Sequence, residues 1–174
     1  IALVVGSLMI LGSLYMVMPF SELVKLVILD LLSFPITFII IAVVYFPTIV
    51  YHKSVIRRAV TKLRAHKPMI VVGITGSFGK TSVKEYLATI LSTQYSVLKT
   101  SESKNSPIGI AEVIQSSLSA EHEIFVVEMG AYKMGEIATM TDMVRPQIGI
   151  VTAINPQHQD LFGSLDVTMQ AKYE

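Results

Sequence analysis

The residues of this chain best suited to chemistry lie in the run 73–82, Gly-Ile-Thr-Gly-Ser-Phe-Gly-Lys-Thr-Ser. The run follows the apolar stretch 69–72 and precedes a helical pattern, so it predicts a glycine-rich turn between a strand and a helix. In such a turn, backbone N–H groups and the positive end of the helix dipole point at one anion. We expect Lys80 to reach the terminal phosphates of a nucleotide and the Thr81 hydroxyl to bind a magnesium ion.

The run departs from the general phosphate-loop pattern G-x-x-x-x-G-K-[ST] at one position, because Ile74 stands where the first glycine belongs. Gly73 comes one residue too early. An ordinary glycine turn is therefore the alternative interpretation, but Gly-Lys-Thr between a strand and a helix favours nucleotide binding. The predicted nucleotide contacts in this run are Gly76, Ser77, Gly79, Lys80, Thr81 and Ser82.

A carboxylate ends another predicted strand, because Glu128 closes the apolar run 124–127. An acidic residue at the end of a strand beside a phosphate loop is the expected second magnesium ligand, directly or through water. A carboxylate that caps a helix at a strand–loop junction is the alternative. His158 and Lys172 are not distinctive by themselves, and each could be an ordinary surface or packing residue.

Short apolar runs alternate with helical periods after residue 68. This pattern predicts an α/β fold, a P-loop domain whose parallel sheet is covered by helices. The predicted strands are 69–75, 95–98, 124–128 and 148–154, and the predicted helices are 81–91, 107–118 and 135–144. Because ligands bind beyond the carboxyl ends of parallel strands, Thr75, Glu128 and the segment 155–158 should converge.

Charge divides the 174 residues into three regions, and the mean hydropathy of +0.59 is high for an ordinary soluble domain. Residues 1–51 carry three charges, 52–67 carry six cations and no anion, and the remainder carries seven cations and eleven anions. We predict a membrane region at 1–51, a basic juxtamembrane linker at 52–67 and the N-terminal part of an ATP-binding domain at 68–174. The chain begins with isoleucine, so we expect a piece of a longer protein. The absence of cysteine excludes disulfides, thiolate metal sites and cysteine nucleophiles.

Two uncharged runs, 1–18 and 31–51, predict two transmembrane helices before the α/β domain. The segment 20–30 between them could be reentrant or interfacial. Two buried helices of a soluble core are the alternative, whereas a cleaved signal peptide fits poorly because the second run is too long. The six cations that follow the second run place the rest of the chain on the cytoplasmic side. Partners should include membrane lipid and no nucleic acid, because no aromatic residue is interleaved among these cations.

Together these segments resemble the central ATP-binding domain of the Mur ligases, the ATP-dependent amide ligases of peptidoglycan synthesis. The resemblance covers roughly residues 69–174, and in the family the phosphate loop also carries its glycine one place early. Besides the loop it depends on an ordered series of short motifs: Asn105 with Ile108-Gly109, Glu-Met-Gly-Ala at 128–131, Gly-Glu-Ile at 135–137, Arg145-Pro146, the run 153–158, Phe-Gly-Ser at 162–164 and Ala-Lys-Tyr-Glu at 171–174.

The resemblance implies roles for the matching positions. Lys80 and Thr81 would hold the β- and γ-phosphates and the first magnesium, and Asn105 would belong to the nucleotide site. Glu128 would ligate magnesium. In the family, one histidine binds a second magnesium and one lysine is carbamylated. These two residues align with His158 and Lys172.

A carbamate explains how a lysine could serve a metal. An ammonium repels a cation, whereas CO2 addition to the neutral amine gives an anionic group with oxygen donors suited to Mg²⁺. The resemblance therefore implies Lys80, His158 and Lys172 as catalytic residues, with ATP and Mg²⁺ as cofactors. A solvated charge is the alternative for Lys172.

The implied reaction has two steps. ATP phosphorylates a substrate carboxylate to an acyl phosphate, and the amine of an amino acid or a dipeptide such as D-alanyl-D-alanine then displaces phosphate. The implied substrate is a cell-wall precursor at the bacterial cytoplasmic membrane. Ordinary members carry a soluble domain that binds the UDP-sugar where this chain has apolar runs, which suggests a lipid-linked or membrane-proximal acceptor. A ligase for poly-γ-glutamate or cyanophycin-type polymers is an alternative, as is a non-catalytic nucleotide-binding module that regulates a membrane partner.

Overall fold

The computed structural model of the protein describes residues 6, 9–10, 12–13, 21–131, 134–154 and 165–174. The chain divides into two compact units, Ile1–Tyr51 and His52–Glu174. The second unit is an α/β domain and contains all the described residues predicted to bind nucleotide or metal. The predicted division of the chain into three regions stays a prediction.

The apolar part of the chain forms one long helix, α1, over Glu22–Arg64. Within the described residues, Val24–Arg64 is the one helix long and apolar enough to cross a membrane, judged by length and composition. Large side chains of its apolar run are exposed, including Phe34 at 78% and Phe38 at 72%. Exposed apolar surface of this extent is typical of a protein–protein or membrane interaction site.

The prediction of two spanning helices is corrected to one within the described part of the chain. Most of the run 1–18 lies outside the described residues. The segment 20–30 is not a separate reentrant piece, because from Glu22 onward it is the first part of α1. The charges that interrupt the apolar pattern are compatible with the helix, since Lys25 Nζ donates to Glu22 Oε1 at 2.9 Å across one turn. The linker 52–67 is likewise helical as far as Arg64.

The predicted α/β fold with a parallel sheet is confirmed. Four parallel strands, β1 (Ile70–Thr75), β2 (Val97–Lys99), β3 (Ile124–Glu128) and β4 (Ile148–Val151), lie in the order β2-β3-β1-β4. The helices between and after them are α2 (Lys80–Leu91), α3 (Pro107–Ser117), α4 (Glu136–Val144) and α5 (Leu165–Lys172). Helix α3 begins as its sequence requires, because the Ser106 hydroxyl accepts a hydrogen bond from Gly109 N at 3.3 Å.

Both faces of the sheet are covered, because alternate residues of the central strands pack on opposite sides. On one face Val72, Ile74 and Val126 contact side chains of α2 such as Val83 and Leu87. The other face packs against α3, α4 and the last turns of α1. Its buried residues include Val71, Phe125, Val127, Ile110, Ile114, Met140 and Ala59. This double burial explains why the strands read as continuous apolar runs rather than as alternating ones.

The basic end of α1 belongs structurally to the α/β domain. Lys62 Nζ donates to the carbonyl oxygens of Ile114 and Gln115, both at 2.9 Å, and so caps the C-terminus of α3. His66 Nε2 donates to Ser119 O at 2.8 Å on the loop that follows α3. The cations of 52–67 are therefore divided between those that hold the domain together and those that remain on its surface.

Candidate nucleotide-binding site

The turn between β1 and α2 is shaped by two glycines with positive φ. Gly76 has φ +140° and Gly79 has φ +76°, values that side-chain-bearing residues rarely adopt. Gly76 is also confined, because a Cβ atom at this position would lie 2.2 Å from Thr152 Oγ1. The loop therefore needs glycine here both for its conformation and for the close approach of Thr152.

The residues that follow β4 hold this loop in place. Thr152 N donates to Thr75 O at 2.9 Å, and the Thr152 hydroxyl lies 2.5 Å from Phe78 O. Ser77 N donates to Ala153 O at 2.6 Å. The sequence had predicted a strand over 148–154, but β4 ends at Val151. The chain leaves the sheet there because the loop after β1 turns away and presents backbone groups that need partners.

The Glu128 carboxylate is the centre of the site. Although only 4% exposed, it is fully partnered: Thr81 Oγ1 donates to Oε2 at 3.1 Å, and Asn105 Nδ2 donates to Oε1 at 3.2 Å. Glu128 N donates to Thr100 Oγ1 at 3.0 Å, which fixes the end of β3. Three of the predicted site residues, Thr81, Asn105 and Glu128, are thus in direct contact.

Lys84 is a site residue that the sequence reasoning missed. Its side chain is completely buried, and Nζ lies 3.3 Å from Glu128 Oε2 and 3.5 Å from Glu85 Oε1. The ammonium has no well-formed hydrogen bond within the described part of the chain, so the opposite charge of Glu128 compensates for its burial. Its spacing was the available signal, because Lys84 lies three residues after Thr81 and hence on the same helix face.

Lys80, which the sequence predicts to bind phosphate, lies over the glycine-rich loop. Its Nζ donates to Gly76 O at 2.9 Å and to Ser77 O at 3.3 Å. The first backbone N–H groups of α2, which begins at Lys80, lack acceptors within the helix. The ammonium and these N–H groups form a cationic cradle suited to phosphate oxygens.

Helix α5 brings Lys172 to the same end of the sheet. Burial, and secondly the positive charge of Lys80, lower the pKa of Lys172. Lys172 and Thr75 line one cavity of about 300 Å³ beside the carboxyl end of β1. The Thr75 hydroxyl is buried without a hydrogen-bond partner among the described residues, which leaves a polar group available at the site. His158, predicted to bind a second magnesium, lies outside the described residues.

Glu174 fixes the position of the helix that carries Lys172. Its carboxylate accepts hydrogen bonds from Gly135 N at 2.7 Å and from Ala138 N at 3.2 Å, so it caps the N-terminus of α4. A carboxylate is favourable there because the helix dipole is positive. The sequence reasoning quoted Glu174 in a motif but gave it no role.

The donor set fits magnesium bound together with a nucleotide. Within the residues that the structure describes, no three acidic or histidine side chains form a metal cluster. The available donors are the Thr81 hydroxyl and the Glu128 carboxylate. Mg²⁺ prefers such oxygen ligands and commonly completes its coordination with waters and substrate phosphates.

A parallel sheet, a glycine loop at the start of a helix and a carboxylate beside the helical threonine define a P-loop nucleotide-binding domain. The family described as the Mur ligase middle domain matches residues 74–174. The chain belongs to the Mur ligase family, and its α/β domain corresponds to the family's middle domain.

Relatives of this chain include UDP-N-acetylmuramoyl-tripeptide–D-alanyl-D-alanine ligases. The enzyme from Synechocystis is 38% identical over 104 residues, which are 60% of this chain and 23% of the relative. The enzyme from Escherichia coli is 39% identical over 112 residues, which are 64% of this chain and 25% of the relative. The chain thus spans about a quarter of the length of these relatives.

Solved structures similar to this chain include those of MurF proteins. MurF ligase from Thermotoga maritima in complex with ADP superposes with a TM-score of 0.66 at 32% identity, covering 70% of this chain and 28% of that chain. MurF from Acinetobacter baumannii superposes with a TM-score of 0.67 at 30% identity, covering 70% of this chain and 26% of that chain.

The Gly76→Ala substitution should weaken ATP binding at least about tenfold, because the new Cβ collides with Thr152 and φ stays strained. Isothermal titration calorimetry with ATP and magnesium measures the effect. Gly135→Ala is the matched control, since its φ is +85° but no atom lies within 4 Å of the added Cβ. Equal losses of ATP affinity in the two variants would refute a specific role for the close approach of Gly76 to Thr152.

The Lys84→Met substitution should lower the free energy of unfolding by about 3–5 kcal/mol, because it leaves the buried Glu128 carboxylate without its cation. Urea denaturation followed by circular dichroism measures this loss. Lys99→Met, which breaks a surface pair with Glu85, should cost about 0–1 kcal/mol. Adding Glu128→Gln to Lys84→Met should recover part of the loss, and strict additivity of the two would contradict the pairing.

Proposed function

We propose that the protein is a membrane-anchored, ATP-dependent amide ligase of peptidoglycan precursor synthesis. One observation carries the proposal: the Thr81 hydroxyl at the start of α2 is hydrogen-bonded to the Glu128 carboxylate at the end of β3. This pairing joins a phosphate loop to an oxygen donor set for magnesium in a domain of the Mur ligase family. The named relatives that bear this domain are ligases.

In this proposal, the residues of the chain bind and orient ATP. Lys80 and the first N–H groups of α2 hold the β- and γ-phosphates, with Gly76, Ser77, Gly79 and Ser82 completing the loop. Thr81 and Glu128 would hold magnesium, which when bound neutralises phosphate charge. Asn105 and Lys84 are positioning residues, because both contact the Glu128 carboxylate.

The proposed reaction joins a carboxylate to an amine. The acceptor carboxylate attacks the γ-phosphorus of ATP, forming an acyl phosphate and releasing ADP. The amine then attacks the acyl carbon, phosphate leaves, and the amine loses a proton as the amide forms. Stabilisation of the transferred phosphoryl charge by Lys80 accelerates the first step, and no side-chain nucleophile is required.

The names of the relatives guide the choice of substrates. They are named as ligases of a UDP-N-acetylmuramoyl-tripeptide and D-alanyl-D-alanine. We therefore propose D-alanyl-D-alanine as the amine donor and a muramoyl-peptide as the acceptor. The apolar part of α1 supports an acceptor near the membrane, either UDP-linked or lipid-linked, at the bacterial cytoplasmic membrane.

The proposal includes a second metal site, which would involve Lys172 and His158. Lys172 would carry a carbamate, and His158 would be its partner at a second magnesium. Support comes from the burial of Lys172 beside Lys80, which lowers the Lys172 pKa and so favours the neutral amine that reacts with CO2. Two such residues would distinguish a ligase from a module that only binds nucleotide.

The Lys80→Ala substitution should abolish ATP-dependent ligation and leave the protein folded, because the side chain contacts the loop and does not pack in the core. Phosphate release that requires both the muramoyl-peptide and D-alanyl-D-alanine is the measurement. Lys99→Ala, an exposed lysine on β2, is the control and should retain activity. Unchanged phosphate release in Lys80→Ala would remove the phosphate loop from the mechanism. If the full-length wild-type protein binds ATP but releases no phosphate, the result would favour a regulatory module.

Carbamylation of Lys172 should give a ¹³C carbamate signal in protein incubated with ¹³C-bicarbonate and magnesium. Because burial and Lys80 lower the Lys172 pKa, neutral amine is available at lower pH than at a surface lysine, so the signal should grow as pH rises and should persist on acidification to a lower pH than a surface-lysine carbamate would. Lys172→Ala should remove the signal, whereas Lys104→Ala should keep it. A signal that survives Lys172→Ala would exclude this lysine as the site.

Residues 68–174 should be protected from protease added to intact cells, because the six cations after the apolar run favour the cytoplasmic side. The same protease should cut this region in inverted membrane vesicles, as immunoblotting of the fragments would show. Recovery of the intact chain in the soluble fraction would contradict the anchor, and cleavage in intact cells would contradict the orientation.

A further inference from the structure

Two arginines near the end of α1 line a cleft that has no role in the nucleotide site. Arg57 and Arg58 border a cleft of about 560 Å³. Its other lining residues are Ser54, Thr61, Lys62 and Gln115. All six residues lie within the His52–Glu174 unit, and each carries a hydroxyl, amide, ammonium or guanidinium group.

The charge of the two arginines is not compensated nearby. Both side chains are exposed, and neither is in any hydrogen bond or ion pair with the described residues. The segment 52–67 contains no acidic residue. Glu112 on the adjacent helix α3 is already paired with Lys104. The cleft therefore presents two guanidinium groups to solvent.

Lys62, the third cation of the cleft, reduces the electrostatic repulsion that an anion would meet there. The C-terminus of α3 carries a partial negative charge that would repel one. Lys62 Nζ donates to the carbonyl oxygens of Ile114 and Gln115 and offsets that charge. Packing of Ala59, which is fully buried, fixes the helix that carries the arginines. The two guanidinium groups are thus carried on a helix that is held in place before any ligand binds.

We propose that this cleft binds the phosphate group of an anionic phospholipid headgroup. Guanidinium groups bind phosphate oxygens in a bidentate manner and outperform lysine there. The arginines follow the apolar run by six and seven residues, and cations in this juxtamembrane position are attracted to anionic lipids. The inference rests on the proposed membrane anchoring and adds to it a defined lipid-binding site.

The test uses the complete chain in detergent, titrated with phosphatidylglycerol or phosphatidylcholine and followed by native mass spectrometry. The double variant Arg57→Gln/Arg58→Gln should bind phosphatidylglycerol about thirtyfold more weakly, because it removes both bidentate guanidinium contacts to the lipid phosphate. The matched control is Lys53→Gln/Arg64→Gln, which removes the same charge from the same helix outside the cleft. It should change the affinity less than about threefold, because neither side chain lines the cleft and an exposed charge contributes little to a contact that it does not make.

Several results would overturn the inference. One is an equal loss of phosphatidylglycerol affinity in the two double variants, and another is no preference of the wild type for phosphatidylglycerol over phosphatidylcholine. A third is displacement of the lipid by excess inorganic phosphate, which would indicate a free-phosphate site. Arg57→Lys/Arg58→Lys guards against misfolding, because it keeps the charge and should weaken binding only partly. Failure of the wild type to enter vesicles of either lipid would refute the anchoring itself. Entry into both without lipid preference would refute only the cleft.

Discussion

The buried carboxylate of Glu128 is the constraint on which the site depends. A carboxylate that is 4% exposed is tolerated only if its charge and lone pairs are satisfied. Thr81 and Lys84 from α2, and Asn105 from the loop before α3, meet this requirement. One side chain thereby ties the end of β3 to the helix that follows the phosphate loop. The same contacts that stabilise the domain place an oxygen donor beside the predicted phosphate site.

A second constraint acts on the backbone of the loop. The turn from β1 into α2 passes through two glycines with positive φ and is held from the outside by Thr152 and Ala153. Because β4 is the parallel neighbour of β1, the residue after β4 lies beside the loop after β1. The sheet topology thus supplies hydrogen-bond partners that the loop lacks, and the loop can keep its first helical N–H groups directed at an anion.

Helix α1 combines two environments in one element. Its apolar run exposes large side chains, whereas its last turns pack against the sheet through Ala59 and donate hydrogen bonds through Lys62. The basic stretch therefore has a structural role in the α/β domain besides the role proposed for it at a membrane. Part of its charge stabilises the C-terminus of α3, and the arginines beside that contact remain available to a partner.

The order of strands and helices, the phosphate loop and the family could all be predicted from the sequence. Local patterns determine them: continuous Val and Ile runs for buried strands, helical periods between them, and Gly-Lys-Thr at a strand–helix junction. Glu128 could also be predicted as a site residue from the local pattern, because a carboxylate at the end of a buried strand needs a ligand or a partner. The roles of His158 and Lys172 came only from the resemblance to the family.

Only the tertiary structure revealed Lys84 and Thr152 as site residues, the end of β4 at Val151 and the continuity of α1. Each depends on partners distant in sequence: Lys84 on Glu128, Thr152 on Phe78, and the last turns of α1 on the C-terminus of α3. The sequence alone determined which segments form strands, helices and the phosphate loop, because hydrophobic period and glycine placement act locally. The tertiary structure decided which side chains share charge and hydrogen bonds, because burial and electrostatic pairing are set by contacts between segments that the local pattern does not encode.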